Sequence, residues 1–275
     1  MHRKAVTFFG GLSIILLAIS LWGLYVDPYR EYKEKFHLRS ATSLYKEMDE
    51  SFSRHGPSER FLLDFVENIG TVIKYDWPDD IEYMPIQENW ILYLLRFVDP
   101  LVSKYLLSDP KTRLFEKVEL PDYKHAFSRG FGICSQLSLA TADLLHRRYG
   151  INARVAGLNG HVTVQISGIK GGEIILDPSY GFFAFGNVMR PESMDQSFID
   201  KVKRTDKLYL TAVDNFVAKD AGWSAYSKRS AGKQLILFYF TYFSYYLKWL
   251  FPVLGLAVYL VSLKRSKVTS SVCVD

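Results

Sequence analysis

The chain has 275 residues, room for one domain of ordinary size plus appendages, and a formal charge of +5. Arg3, Lys4, Lys264, Arg265 and Lys267 account for the whole excess, Lys248 is offset by Asp275, and residues 27–233 sum to zero. A neutral middle excludes a polyanion binder, so no nucleic-acid partner is expected and the pI near 9.0 reports topology instead.

From Ala5 to Val26 the chain is apolar without a single charge. At 1.5 Å per residue this run spans roughly 33 Å, enough for a bilayer core of about 30 Å. Ala18-Ile19-Ser20 offers the small residues of a signal-peptide cleavage site, but the apolar run continues to Val26 and favours an uncleaved anchor. Residues 1–27 are therefore expected to form a transmembrane anchor. Residues 28–38 are a charged, aromatic juncture, and 28–120 as a whole reads as a helical N-terminal lobe. Within it, 40–53 and 57–69 are expected as amphipathic helices, the second with Pro57 in its first turn. Residues 74–80 read as a loop, and 90–107 as a helix broken at Pro100.

The next stretch, 121–217, reads as an α+β core in which one helix feeds an antiparallel sheet. Residues 121–133 are expected to be an irregular approach. Cys134 to Tyr149 is a helix that Gly150 ends. Residues 151–158, 161–167 and 173–177 are short and rich in β-formers, with Asn159-Gly160 as a tight hairpin turn and 168–172 as a longer one. Further strands are expected at 182–185 and 207–213. A juxtamembrane linker, 218–234, leads to the aromatic, apolar segment 235–264, whose span is expected from Tyr245 to Leu263 with Lys248 at the water–lipid boundary. Residues 265–275 form a tail carrying Cys273. The flanking cations predict that both termini are cytoplasmic and the domain between them lies outside, as in a bacterial inner-membrane protein facing the periplasm. No Asn-x-Ser/Thr sequon occurs, which is compatible with a bacterial envelope protein.

Cys134, His161 and Asp177 are the candidate catalytic residues. Each stands at the edge of a predicted element, in the order nucleophile, base, orienter. A helix of sixteen residues from Cys134 is about 24 Å long, and a strand over 151–158 returns about 26 Å, so the turn at 159–160 delivers His161 beside the helix start. A five-residue turn at 168–172 pairs Ser167 with Glu173, so that paired numbers sum to 340. His161 then lies opposite Ser179 with Asp177 as its diagonal neighbour on the same face. A slip of one residue would send Asp177 to the other face. A thiol at a helix N-terminus is favoured as thiolate, His161 would shuttle the proton, Asp177 would orient the ring, and the Cys134 amide would receive the oxyanion.

Other residues have plainer roles. A zinc site through Cys134, His161 and Asp177 lacks a fourth ligand, so no metal or cofactor is expected. His125 and His146 read as surface or packing residues, and Asp79, Asp80 and Glu82 as a solvated acidic turn. Trp77, Tyr180, Phe182 and Phe183 are groove candidates for which core packing is the better expectation.

The stretch from Gly130 to Gly181 resembles the transglutaminase-like superfamily of papain-type Cys-His-Asp enzymes. Arg129-Gly130-Phe131-Gly132-Ile133-Cys134, the passage Tyr149-Gly150-Ile151-Asn152-Ala153-Arg154-Val155, Gly160-His161-Val162 and Leu176-Asp177-Pro178 carry the resemblance, and residues 69–76 are similar to the lead-in. It implies a thiol-dependent peptidase, amidase or acyltransferase with a protein or peptide substrate and a Cys134–His161–Asp177 triad. The chain departs in its short Cys-to-His segment, in Thr163 where an aromatic is frequent, and in Glu173-Ile174-Ile175 before the aspartate. The superfamily also includes inactive relatives, so the alternative is a catalytically silent binding or assembly module in an envelope or polysaccharide-export complex.

Overall fold

The computed structural model describes residues 2–106, 113, 115–120, 122–158, 161–169, 172–185 and 231–271. The expected turn at Asn159-Gly160, the strand at 207–213, the linker up to 230 and Cys273 lie outside the described residues. In chain order the first helices are α1 (His2–Tyr25), α2 (Arg30–Lys35), α3 (Ala41–His55) and α4 (Glu59–Ile69). Strand β1 (Lys74–Tyr75) precedes α5 (Ile86–Leu95), α6 (Asp99–Leu106) and α7 (Tyr123–Arg129). Then come β2 (Phe131–Gly132), α8 (Cys134–Tyr149), β3 (Asn152–Leu158), β4 (His161–Ile169), β5 (Gly172–Asp177), β6 (Phe182–Phe185) and α9 (Ala231–Ser271).

The architecture is mixed helix and sheet, in two compact units. One gathers Met1–Pro28, Ile81–Val118 and Phe240–Asp275; the other gathers Tyr29–Asp80 and Glu119–Tyr239. The 28–120 stretch, expected as a single lobe, is thus divided between them.

In the second unit α3 and α4 pack together through apolar faces. Leu44 and Met48 of α3, and Phe61, Leu62, Phe65, Val66 and Ile69 of α4, are buried. Ser40 caps α3 by accepting from the Ser43 amide. Ser58, not Pro57, starts α4: its hydroxyl accepts from the Phe61 amide, which leaves Pro57 ahead of the cap. Two segments read as irregular are ordered. Lys74–Tyr75 pairs in parallel with Phe131–Gly132, and α7 forms inside 121–133 because Asp122 caps it at the Lys124 amide. Gly130, with φ 86°, ends α7 in a left-handed conformation that a glycine adopts without strain.

Helix α8 has the expected bounds, closed by Gly150 at φ 65°. It packs on β3 and β4 of a four-stranded antiparallel sheet ordered β3-β4-β5-β6. Leu158 pairs with His161 on either side of the first turn. The second turn is tighter than expected: β4 runs on to Ile169, which pairs with Gly172. A register shift between Ser167 and Ile169, with Gly168 at φ 91°, absorbs the difference. Ser167 still pairs with Glu173 and Val164 with Leu176, so the expected register survives the wrong turn length.

The other unit holds α1 and α9, both long and apolar enough to cross a membrane. Their bulky residues, among them Phe8, Ile15, Leu24, Leu254 and Val258, face outward. The two helices approach closely at glycine: a Cβ on Gly255 would overlap Ser13, and one on Gly10 would overlap the Tyr259 ring. The expected helix over 90–107 is two helices. Its break falls at residues 96–98, before Pro100, which sits in the first turn of α6 where its missing N–H leaves no bond unmade.

Candidate active site

Cys134 is the first residue of α8, after Ile133 in an extended conformation, and no side chain caps the helix there. The first amides of the helix precede its earliest internal bond, Leu137 N–H to Ile133 C=O at 3.0 Å, so they are free of helical partners. The thiol is half-exposed. Its position is set from behind by close packing. A Cβ on Gly132 would come within 2.6 Å of Gln136 Cγ and 3.0 Å of Leu137 Cδ1, so only glycine lets β2 run this near the first turn of α8. Gln136, fully buried, grips the backbone of Leu120 twice: Nε2 donates to its carbonyl at 2.7 Å and Oε1 accepts from its amide. Ser135 donates its hydroxyl to Glu119.

His161 opens β4, paired with Leu158 at the end of β3. It is 3% exposed, and its Nε2 lies 2.8 Å from Asp177 Oδ2. The Cys134 thiol acts electrostatically on the same ring. Ser138 of α8 donates to the Val162 carbonyl at 2.9 Å, which pins the helix to the strand one residue past His161. Asp177 closes β5 and is fully buried. Its second oxygen, Oδ1, accepts from the amides of Ser179 at 2.9 Å and Tyr180 at 3.3 Å. The Asp-Pro-Ser-Tyr turn thereby makes the carboxylate an acceptor on both sides. The Tyr180 ring lies tilted 5.5 Å from the imidazole, and its other neighbour is the Tyr75 ring, edge-on at 5.7 Å.

The electrostatics favour a charged imidazole. Burial by itself lowers the His161 pKa, but the bonds to Asp177 and Cys134, with the charges behind them, outweigh it and raise the ring to about 9. Thus α8, β4 and β5 bring Cys134, His161 and Asp177 together. No family model, curated protein or solved structure matches this chain. Its function is read from this geometry alone. Among the described residues no three His, Cys, Asp or Glu side chains converge to hold a metal ion.

The remaining candidates fall where packing puts them. Trp77 is buried edge-on against Phe131 at 5.5 Å, beside the Arg129 guanidinium, and belongs to the core. His125 pairs with Asp122 at 3.5 Å, His146 is exposed, and Asp79, Asp80 and Glu82 face solvent. Glu119, Gln136 and Gly132 were not singled out by their motifs. The available signal was the polarity of α8, whose Ser135, Gln136 and Ser138 are all buried and bonded to Glu119, Leu120 and Val162. A buried helix face that polar must be bonded to something.

Proposed function

We propose that the protein is a membrane-anchored cysteine acyl hydrolase or acyltransferase of the transglutaminase-like type, acting on peptide or amide bonds through a thioester on Cys134. The observation that carries this reading is the buried His161–Asp177 bond, coupled electrostatically to the half-buried Cys134 at the start of α8. A histidine and a carboxylate removed from water pay a desolvation penalty that packing alone does not repay. That penalty argues for use of the pair, and against the alternative of a silent binding module.

The chemistry follows from the atoms. The Cys134 thiol passes its proton to His161 Nδ1, and the sulfur attacks the carbonyl carbon of the substrate. The oxyanion forms beside the free amides at the start of α8. As the tetrahedral intermediate collapses, the C–N bond breaks and imidazolium gives its proton to the leaving amine, which leaves a thioester. Water, or a second amine, then attacks that carbonyl with His161 as base, and the thiol is restored. Asp177 stays ionised throughout and holds Nε2–H, so that Nδ1 is the nitrogen that exchanges protons.

In this reading α1 and α9 are the anchors, both termini are cytoplasmic, and the catalytic unit faces the periplasm of a bacterial cell. Protein or peptide is the substrate, and an envelope complex is the setting. The test is acyl trapping. Full-length protein is incubated with a mixed peptide-carboxamide library and the Cys134 peptide is weighed by mass spectrometry. The reading predicts a hydroxylamine-sensitive acyl mass on Cys134 and none in Cys134→Ser; an unmodified Cys134 with peptide still retained supports the binding module.

A further inference from the structure

The pair α5–α6 is built inside out. Between Leu94 and Leu101, the large side chains of Leu94, Phe97, Val98 and Leu101 are exposed, Phe97 at 67%. Three polar side chains of the pair, Asn89, Asp99 and Ser103, are buried, while Lys104 is exposed near the end of α6. Asn89, 0% exposed, donates to Ser244 Oγ at 2.7 Å and accepts from the Ile91 and Leu92 amides. Asp99, also 0% exposed, accepts from Ser103 Oγ at 2.5 Å and from the Phe115 amide at 3.0 Å. In water that distribution is unfavourable twice over, since it exposes apolar area and buries polar groups. In lipid both signs reverse.

The neighbours of the segment are the two apolar helices. A Cβ on Gly23 of α1 would collide with the Gln87 carbonyl, so α5 begins hard against the end of α1. Lys248 of α9 donates Nζ to the Glu88 carbonyl at 2.7 Å, Trp90 Nε1 donates to the Lys248 carbonyl at 3.1 Å, and Tyr245 bonds the Glu88 carboxylate. These contacts fasten α5 at the level where the apolar part of α9 begins. The outward faces of α1, α9 and α5–α6 belong to one unit. At about 15 Å and 12 Å, neither short helix can cross a bilayer of about 30 Å. Arg96 lies over the Tyr93 ring at 3.8 Å and over Phe97 at 4.6 Å, the posture of a cation held at a membrane interface by aromatic neighbours.

We infer that residues 86–106 are embedded in one leaflet of the bilayer, as a third membrane contact that lies in the interface while α1 and α9 span. This inference rests on the reading that α1 and α9 cross the membrane. Its occupant is lipid: α5 packs on both apolar helices, the large side chains at 94, 97, 98 and 101 are exposed as theirs are, and the buried Asn89 and Asp99 are already bonded inward. Such a contact holds the membrane unit at fixed depth, which a pair of spans alone does not.

Spin-label accessibility decides it. Full-length protein with Cys134→Ser and Cys273→Ser is reconstituted in phosphatidylethanolamine–phosphatidylglycerol vesicles and labelled singly at Leu94→Cys, Phe97→Cys or Leu101→Cys. Val258→Cys in α9 and His55→Cys in α3 give the lipid and water references. Labels at 94, 97 and 101 should collide with oxygen several-fold more than with a water-soluble nickel chelate, as at position 258. Chelate accessibility like that at position 55, with position 258 still lipid-like, overturns the inference, as does a label shielded from both reagents, which means a protein partner. A water-like signal at position 258 itself rejects the spanning reading, and the inference falls with it.

Discussion

Asp177 carries more of the site than its place in the chain suggests. One oxygen faces His161 Nε2, and the other accepts from the Ser179 and Tyr180 amides. Asparagine is nearly the same size but cannot serve both sides. With its carbonyl toward the two amides, its NH2 faces Nε2 and forces the proton onto Nδ1, where the thiol's proton must go. Turned the other way, the NH2 meets two backbone donors. Asp177→Asn is therefore expected to lower acyl transfer by about 100-fold or more while the fold persists, as read by single-turnover acylation and circular dichroism. The raised pKa of His161 also fixes a stability window. A histidine whose folded pKa stands near 9, above its unfolded value of 6.5, stabilises the fold fully below 6.5 and loses that contribution as pH rises through 9. Thermal melts should show a wild-type advantage over His161→Gln at about pH 6 that shrinks toward about pH 9.5. A difference independent of pH contradicts the charged pair.

At the scale of elements, the site is a helix start, a strand start and a strand end held in register. The bounds of α8 were legible because an apolar run ends at Gly150; the register of β4 with β5 was reached through a turn one step too long, and it holds because the shift between Ser167 and Ile169 absorbs the difference. The bulge at Gly168 was not legible, since three glycines in five residues fit several turns equally well. Helix α7 and the β1–β2 pair were missed for a different reason: each is short, and each is stabilised by what it packs against instead of by its own pattern. The same holds for Gly132, whose role is visible only once Gln136 stands behind it. Gly132→Ala must push the first turn of α8 away from β2. It is expected to cut Cys134 acylation by about tenfold or more through misplacement, with a smaller loss of stability, checked by acylation rate beside the melting temperature. Unchanged acylation would show that β2 does not place the nucleophile.

The chain divides into a mixed helix-and-sheet unit that carries Cys134, His161 and Asp177 and a unit that holds two long apolar helices. Sequence indicated both helices plainly, because a long uncharged run has few other uses. It did not indicate that 81–118 joins them, since the bonds of the buried Asn89 and Asp99 are visible only once their partners are placed. The close approach of α1 and α9 at Gly10 and Gly255 makes a further prediction. Gly255→Leu is expected to separate them, seen as lost disulfide capture between cysteines engineered at Gly10 and Tyr259; retained capture would mean that the helices pair elsewhere. Export of the catalytic unit would leave Cys134 a free thiol outside the cytoplasm, which calls for a chemical reason. The most direct measurement is therefore alkylation of Cys134 by iodoacetamide against pH, in Cys273→Ser and in Cys273→Ser with His161→Ala. The account predicts that alkylation slows several-fold when His161 is removed, across the range below about pH 9 where the imidazole carries its charge. Equal rates in the two proteins across that range would contradict it.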